Sequence, residues 1–344
     1  MTNSSRGQIL LGGFKFPHHS DSSGYHQLAK FINGEYLNAD KLIFGNSPIE
    51  SNKRQLNYLL FEMALSFKAK KFNIVHYLYP EQHLFFSVPK NKKTVSVATI
   101  HLDEQWLNRD MVVSKKFLEA RRSMFEKLDG IICLSREQEE KLKEMYPSKQ
   151  IKFIPHGINN LVQYSNFNFN RENLEITVVG SNYRDMELLF EVIETVEKKH
   201  KGWRFNLIGL SKEWKVYAAK YSNTIVHPFL TEEQYFSVLQ SSHIHLLPVK
   251  FATANNALLE AHALGVPSIT SNCKGVKDYS LETTLVFNDK EDAINKLEYI
   301  SSMSDENYSE LRKSTLDNSR QFSWEEIAKR VTEFYSLLQS LKRN

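Results

Sequence analysis

Residues 243–271, HIHLLPVKFATANNALLEAHALGVPSITS, divide into a strand, a loop, a helix and a second strand. His243 to Val249 is short and apolar enough for a buried parallel strand. From Asn255 to Leu264, Ala257, Ala261 and Leu264 share one helical face, and the run stops at Gly265, which suits the left-handed position just past a helix end. Pro267 forbids more helix, and Ser268 to Ser271 resumes as strand. The unit is a βαβ, and it sets the fold class as α/β with a parallel sheet. In such a unit the helix starts beside the carboxyl end of the strand. Its free N–H groups and positive dipole end therefore face the crevice where open α/β sheets take ligands. Thr253, Asn255 and Asn256 are capping residues there, and Asn256 and Glu260, four apart, share one face. A carboxylate one turn inside an anion-attracting helix start can accept hydrogen bonds from sugar hydroxyls while the amides hold a phosphate. That pairing describes a nucleotide sugar, although a plain capped helix with an exposed Glu fits the same residues.

Outward from this unit the alternation continues in both directions. Ile9 to Leu11 read as a short strand ending at Gly12 and Gly13, where a turn is easy. Ser22, Ser23 and Gly24 then lead into YHQLAKFING, whose Leu28, Phe31 and Ile32 are helically spaced. Gly24, at a strand-to-helix junction, allows close backbone approach to a phosphate, without a GxGxxG around it. NIVHY (73–77), TVSVATI (94–100) and GIICL (130–134) are strands between helical patterns at 54–70, 109–128 and 136–145. His101 ends one of these strands, at the edge where ligands bind, although a lone histidine is more often structural. IKFIPHGIN (151–159) is a strand followed by a proline and glycine turn, and the Asn-rich NLVQYSNFNFNREN after it places a domain boundary near residue 160.

The second half restarts the pattern. EITVV (175–179) ends in Gly180 and Ser181, with Arg184 and Asp185 before the helix MELLFEVIETVEKKH. A guanidinium at such a turn can grip a diphosphate bidentately and stabilise charge growing on it. Phe205 to Ile208 and IVHPF (225–229) are further strands, and the helix EEQYFSVLQ leads back to residue 243. His243 and His245 share a strand face, but with no third ligand they read as a wet face rather than a metal site. Near the end FSW precedes EEIAKRVTEFYSLLQSLK, an amphipathic helix with Ser323 as N-cap and Glu326 completing a capping box.

At 344 residues, 41% apolar and 24% charged, the chain has material for two globular cores. A net charge of +4 with dispersed Lys and Arg argues against nucleic acid as a partner, which needs a clustered basic face. Cys133 and Cys273 form no disulfide framework and no metal spacing. No run approaches the ~20 apolar residues of a membrane span, and MTNSSRGQILLGGF lacks a signal-peptide pattern, so the expected location is cytoplasmic. Between Met111 and Leu128, Lys115, Lys116, Arg121, Arg122 and Lys127 surround Phe117, Leu118, Met124 and Phe125. Such a helix can rest on an anionic membrane, at its inner face, as a peripheral contact; the alternative is an ordinary solvated helix.

ANNALLEAHALGVPSI (254–269), IPHGIN (154–159) and the FSW helix together resemble the GT-B glycosyltransferases of the large retaining group called family 4. That family's motif has two glutamates separated by seven residues, then a small-residue helix, Gly and Pro. Glu260, Ala261, Gly265 and Pro267 match its second half, while the first glutamate's position holds Ala252, which removes a carboxylate commonly set near the transferred sugar. The resemblance implies two Rossmann-like doubly wound domains facing across a cleft, 1–160 on the acceptor side and 161–322 on the donor side, with the helix from 323 to 344 packed back on the first. It implies transfer from a UDP- or GDP-sugar to a saccharide or lipid-linked acceptor with retention, in polysaccharide or glycoconjugate synthesis. His101, Arg184 and Glu260 would be the active-site residues; Gly24, Gly180, Ser181, Thr253, Asn255 and Asn256 would join Arg184 and Glu260 around the donor. With no Asp-x-Asp pair, no metal and no other cofactor is expected. The departing phosphate would take the acceptor's proton. Two other readings stand beside this one: a non-catalytic nucleotide-sugar-binding or partner protein, which Ala252 favours, and an inverting transferase or epimerase, for which no acid and base carboxylates are evident.

Overall fold

A β-strand covered by helices on both faces must be apolar on both faces, and such strands pair in parallel through helical crossovers. All pairings between named strands among the described residues are of this kind. The computed structural model describes residues 7–16, 22, 24–48, 51–89, 93–102, 115–161 and 173–343. The chain divides into two compact units, Met1–Gly157 with Trp324–Asn344, and Ile158–Ser323.

Unit 1 runs β1 (Gly7–Gly13), a 3-10 turn at Tyr25–Gln27, α1 (Leu28–Phe31), β2 (Glu35–Asn38), α2 (Asn52–Ala69) and β3 (Phe72–Tyr77). It continues through α3 (Pro80–His83), β4 (Val95–Ile100), α4 (Lys115–Glu126), β5 (Gly130–Cys133), α5 (Arg136–Met145) and β6 (Gln150–Phe153). Its sheet has the order β2-β1-β3-β4-β5-β6. Unit 2 runs β7 (Glu175–Val179), α6 (Met186–Lys199), β8 (Arg204–Ile208), α7 (Lys212–Ala218), β9 (Thr224–Val226), α8 (Glu232–Ser241) and β10 (Ile244–Leu247). After these come α9 (Asn256–Ala263), β11 (Ser268–Ser271), α10 (Lys274–Lys277), β12 (Leu285–Phe287), α11 (Lys290–Ser301) and α12 (Asp305–Ser319). Its sheet is ordered β12-β11-β10-β7-β8-β9, the six-strand Rossmann arrangement with its reversal between β7 and β10. The last helix, α13 (Trp324–Arg343), belongs to unit 1, where Tyr335 reaches His76 on β3 and the Lys342 ammonium binds Asp129 at 2.6 Å.

Helices on opposite faces of unit 1 press closely on the sheet. β1 does not end at its glycines but runs through them. A Cβ at Gly12 would come within 2.5 Å of Leu65 on α2, and one at Gly130 within 2.5 Å of Leu338 on α13. Both glycines serve close packing, and at Gly12 this replaces the turn that the sequence suggests. In unit 2 one apolar cluster joins Leu189, Ile193 and Val196 of α6 to Leu207 and to Ile294 of α11. A second joins Leu258, Leu259 and Ala261 of α9 to Phe236, Leu239, Val276 and Phe322. His243 and His245 lie on no wet face, because both are buried. His243 Nδ1 accepts from the Glu175 amide at 2.9 Å, and His245 Nδ1 lies 3.3 Å from the Ser268 hydroxyl.

Candidate active site

At the reversal point of unit 2 the chain leaves β7 toward β8 and leaves β10 toward β11, the position at the carboxyl edge where open α/β sheets form a ligand crevice. The loops after β7 and β10 are tied at their bases. Arg184 and Val249 form an antiparallel bridge, the Asp185 amide donates to the Pro248 carbonyl at 2.9 Å, and the Lys250 amide donates to the Tyr183 carbonyl at 3.0 Å. The turn needs left-handed backbone: Gly180 has φ +78°, as glycine permits, while Tyr183 holds φ 57° with a side chain in place. A non-glycine residue held there by its neighbours marks a turn whose shape matters to the next residue, Arg184.

The Arg184 Nε donates to the Val179 carbonyl at 3.0 Å and its Nη1 to the Asn182 carbonyl at 3.3 Å, which pins the guanidinium over the end of β7. Burial pushes its pKa down to about 10, so it remains a cation at neutral pH. Ser181 stays in the same turn, where its hydroxyl accepts from the Ser211 amide at 3.2 Å.

Across the crevice, α9 begins where the sequence predicts, with Asn255 as its cap: the Asn255 side chain accepts from the Leu258 amide at 3.1 Å. Asn256 is the first helical residue, Thr253 lies two residues before the cap, and Gly265 ends the helix with φ +67°. Glu260 is only 5% exposed, not the surface glutamate of a solvated helix. A buried carboxylate needs a donor. It has one in Tyr235 of α8, whose hydroxyl donates to Glu260 Oε2 at 2.6 Å. Burial and the Glu260 charge push the Tyr235 pKa far above that of a free phenol, while Arg184 pulls it the other way, so the phenol stays protonated and Arg184 lies within electrostatic reach of it. Thr231 and Gln234 form a capping box that fixes the start of α8 and hence Tyr235. Sequence reasoning missed Tyr235, which nothing local distinguishes from any other helical aromatic. Ala252 packs against the apolar cluster beneath α9, and a Cβ on Gly275 would fall 1.6 Å from the Ala252 carbonyl oxygen. The loop at 252 is therefore pressed on the start of α10.

Gly24 and His101 belong to unit 1. Gly24 is buried with φ −66°, a conformation open to any residue, and it opens a 3-10 turn followed by a four-residue helix rather than a long amide-presenting one. His101 comes directly after β4 and is wedged among rings, stacked on Tyr79 at 4.6 Å and edge-on to Tyr25 at 4.9 Å. Its Nε2 must donate to the Leu78 carbonyl at 2.7 Å, since a carbonyl only accepts, and this places the lone pair on Nδ1. Burial lowers its pKa to about 4, so the imidazole is neutral at physiological pH. The loop that carries it is held by Glu81, which accepts from the His101 and Leu102 amides, the latter at 3.1 Å. Burial raises the Glu81 pKa to about 7 despite those amides and the nearby Arg121.

The basic helix α4 departs from its expected role in part. Met111 to Ser114 lie outside the described residues. Met124 and Phe125 are buried in unit 1, and Arg121 Nη2 donates to the Glu81 carbonyl at 3.4 Å, so the exposed charges of the segment's second half are Arg122 and Lys127 with Glu119 and Glu126 beside them. Among the described residues no three His, Cys, Asp or Glu side chains stand together as a metal-binding group, and no helix is long and apolar enough to cross a membrane.

The family described as "Glycosyl transferases group 1" matches residues 174–302, the half that carries this crevice, and "Glycosyltransferase Family 4" matches residues 24–160. No curated protein matches the sequence. Among solved structures, sucrose-phosphate synthase from Thermosynechococcus elongatus superposes with a TM-score of 0.67 at 16% identity, over 97% of this chain and 89% of its own. The N-terminal domain of Candida albicans trehalose-6-phosphate phosphatase gives 0.68 at 11% identity, over 98% of both chains. A variant of S. aureus TarM, in complex with Fondaparinux, alpha-GlcNAc-glycerol and UDP, gives 0.62 at 16% identity over 81% of this chain, which spans 59% of TarM's length. At such identities these structures share the fold.

Proposed function

The chain belongs to the GT-B glycosyltransferases, and from that premise we propose that it moves a sugar from a nucleoside-diphosphate donor to an acceptor hydroxyl with retention of configuration. The single observation that carries this reading is the pairing, at one strand-order reversal, of a pinned guanidinium with a capped helix start and a hydrogen-bonded carboxylate. Arg184, the turn at Gly180 and Ser181, and the amides after Thr253 and Asn255 take the diphosphate. Asn256 and Glu260 take the sugar hydroxyls, with Glu260 oriented by Tyr235. The bond from the anomeric carbon to the diphosphate oxygen breaks as the acceptor oxygen bonds that carbon from the same side, and the acceptor's proton passes to the leaving phosphate. The charge left behind is met by Arg184 and the helix start, without a metal ion. The TarM complex contains UDP, which makes a UDP-sugar the first donor to try, ahead of a GDP-sugar. His101 is assigned to the acceptor side as a neutral contact whose Nδ1 accepts a hydrogen bond. The acceptor is a saccharide or a lipid-linked one, used in polysaccharide or glycoconjugate synthesis at the cytoplasmic face of a membrane.

A thermal-shift screen against UDP-, GDP-, ADP- and CMP-sugars, followed by turnover with the best donor, tests this. Transfer or donor hydrolysis by the wild type, lost in Glu260→Ala and Arg184→Ala, supports the enzyme. Donor binding with no turnover for any sugar would replace it with a binding protein of the same fold.

A further inference from the structure

Helix α2 carries large apolar side chains on both its inward and its outward face. Its inward face carries Arg54, Asn57 and Glu62 beside Tyr58, Phe61 and Leu65. The buried polar groups are bonded: Arg54 to Asp40 at 2.6 Å, Asn57 to the Ala39 carbonyl at 2.9 Å, and Glu62 to the amides of Phe85, Phe86 and Ser87. The outward face carries Leu56, Leu59, Leu60, Met63 and Phe67, at spacings of three and four, with Met63 61% and Phe67 72% exposed. These positions form one stripe along the whole helix. Phe86, also exposed, lies in the segment held by Glu62 and by the Ser66 hydroxyl contact to Ser87, so it extends the stripe sideways. A contiguous apolar patch of this kind marks a contact surface.

Charge indicates what covers it. The exposed residues of α2 and its end include Lys53, Lys70 and Lys71 and no carboxylate, because the one acidic residue of the helix, Glu62, is turned inward. Lys70 lies 5.8 Å from the Phe67 ring centroid. A second copy docked on the stripe would set lysines against lysines at the helix ends. Beside the stripe Lys68 is paired with the exposed Glu35 of β2, which leaves Lys53, Lys70 and Lys71 as the excess charge; an apolar stripe with aromatic residues and a mainly basic rim suits an anionic lipid surface. We propose that the outward face of α2 seats unit 1 on an anionic membrane, with the apolar stripe entering the headgroup boundary and the lysines meeting the lipid phosphates. This rests on the membrane part of the proposed function and not on its transfer chemistry.

The test is cosedimentation of the full chain with vesicles of phosphatidylcholine alone or mixed with phosphatidylglycerol. The wild type is expected to sediment with the anionic vesicles only. Met63→Glu with Phe67→Glu should lower the bound fraction by about tenfold or more, Met63→Leu with Phe67→Leu should keep it, and Lys53→Glu with Lys70→Glu should lower it again. Thermal melts confirm that each variant is folded, and donor turnover with a soluble acceptor, measured in parallel, reads the transfer chemistry separately. A wild type that ignores anionic vesicles, or a Met63→Glu/Phe67→Glu variant that binds them as before, overturns the proposal. So does a wild-type dimer in light scattering that this variant converts to monomer while vesicles are ignored, since that outcome assigns the stripe to a second copy.

Discussion

The two units share a construction and differ in how they hold charge at the functional edge. In unit 2 the reversal of strand order falls between β7 and β10, and the groups gathered there are ionic: Arg184 and Glu260, with the Tyr235 phenol bonded to the carboxylate. In unit 1 the reversal falls between β1 and β3, and the group just past β4 is a neutral imidazole packed between Tyr25 and Tyr79. On the proposed function the unit 2 edge meets the donor's diphosphate. On the same proposal the unit 1 edge, with its neutral imidazole in an aromatic wall, faces the hydroxyl-bearing acceptor. A repeated fold therefore need not repeat its chemistry, because the loops after the strands set it.

Arg184→Ala strikes most directly at this asymmetry. Loss of a pinned donor facing charge that grows during reaction should lower turnover by about 10²–10³. An unchanged kcat with only a raised KM would place Arg184 in ground-state binding and remove the asymmetry. Tyr235→Phe comes next. A hydrogen bond to a charged, buried partner is worth about 1.5–3 kcal/mol, so the variant should unfold at lower denaturant concentration and show faster amide exchange in α9. Protection of α9 equal to the wild type would show that Glu260 is held by other groups. His101→Asn tests the opposite edge. Turnover should fall about tenfold, the equivalent of one hydrogen bond, with the donor dissociation constant unchanged. Weaker donor binding in that variant would mean the two edges do not divide the substrates.

A subtler contrast lies in the pH slope of each unit. In unit 2 burial lowers the pKa of both His245 and His262 to about 3, below the ordinary 6.5. Their contribution to stability is therefore full above pH 6.5 and is lost as the pH falls from there toward 3. Unit 1 has such histidines too, His76, His83 and His156, but Glu81 works against them. Its folded pKa of about 7 lies above the ordinary 4.5, so its contribution is full below that ordinary value and disappears as the pH rises through 7. Glu81→Gln should steepen the loss of amide protection in unit 1 peptides between pH 7 and 5, while His245→Gln flattens that of unit 2. Exchange measured by mass spectrometry across that range decides it.

Legibility tracked the strength of the local pattern. The βαβ at 243–271 could be read nearly to the residue, because a buried strand, a cap at Asn255, a stop at Gly265 and a breaker at Pro267 all agree. The edge strands β2, EYLN, and β12, LVF, are short and polar or very brief, and α11 and α12 lie in a stretch whose charges obscure the apolar period. The glycines of β1 mislead a local reading, since their meaning lies in Leu65, more than fifty residues away. The same holds at the candidate site. Arg184 stands in a turn and Glu260 in a helix whose ends carry recognisable punctuation, whereas Tyr235 and Glu81 matter through partners 20 or more residues distant, which no local window contains.

The way the chain enters and leaves unit 2 has a practical consequence. It goes in at Ile158 and comes out at Ser323, and these residues bridge, with the Ile158 amide donating to the Phe322 carbonyl at 2.9 Å. On the other side of each cut, Gly157 and Trp324 are also in contact, so closely that a Cβ at Gly157 would stand 2.4 Å from the indole. Unit 2 is thus a cassette with both ends at one socket. Splicing at these paired junctions would exchange one copy of unit 2 for another without stretching either backbone, and on the proposed function that is a route by which a lineage could change its sugar donor while keeping its acceptor.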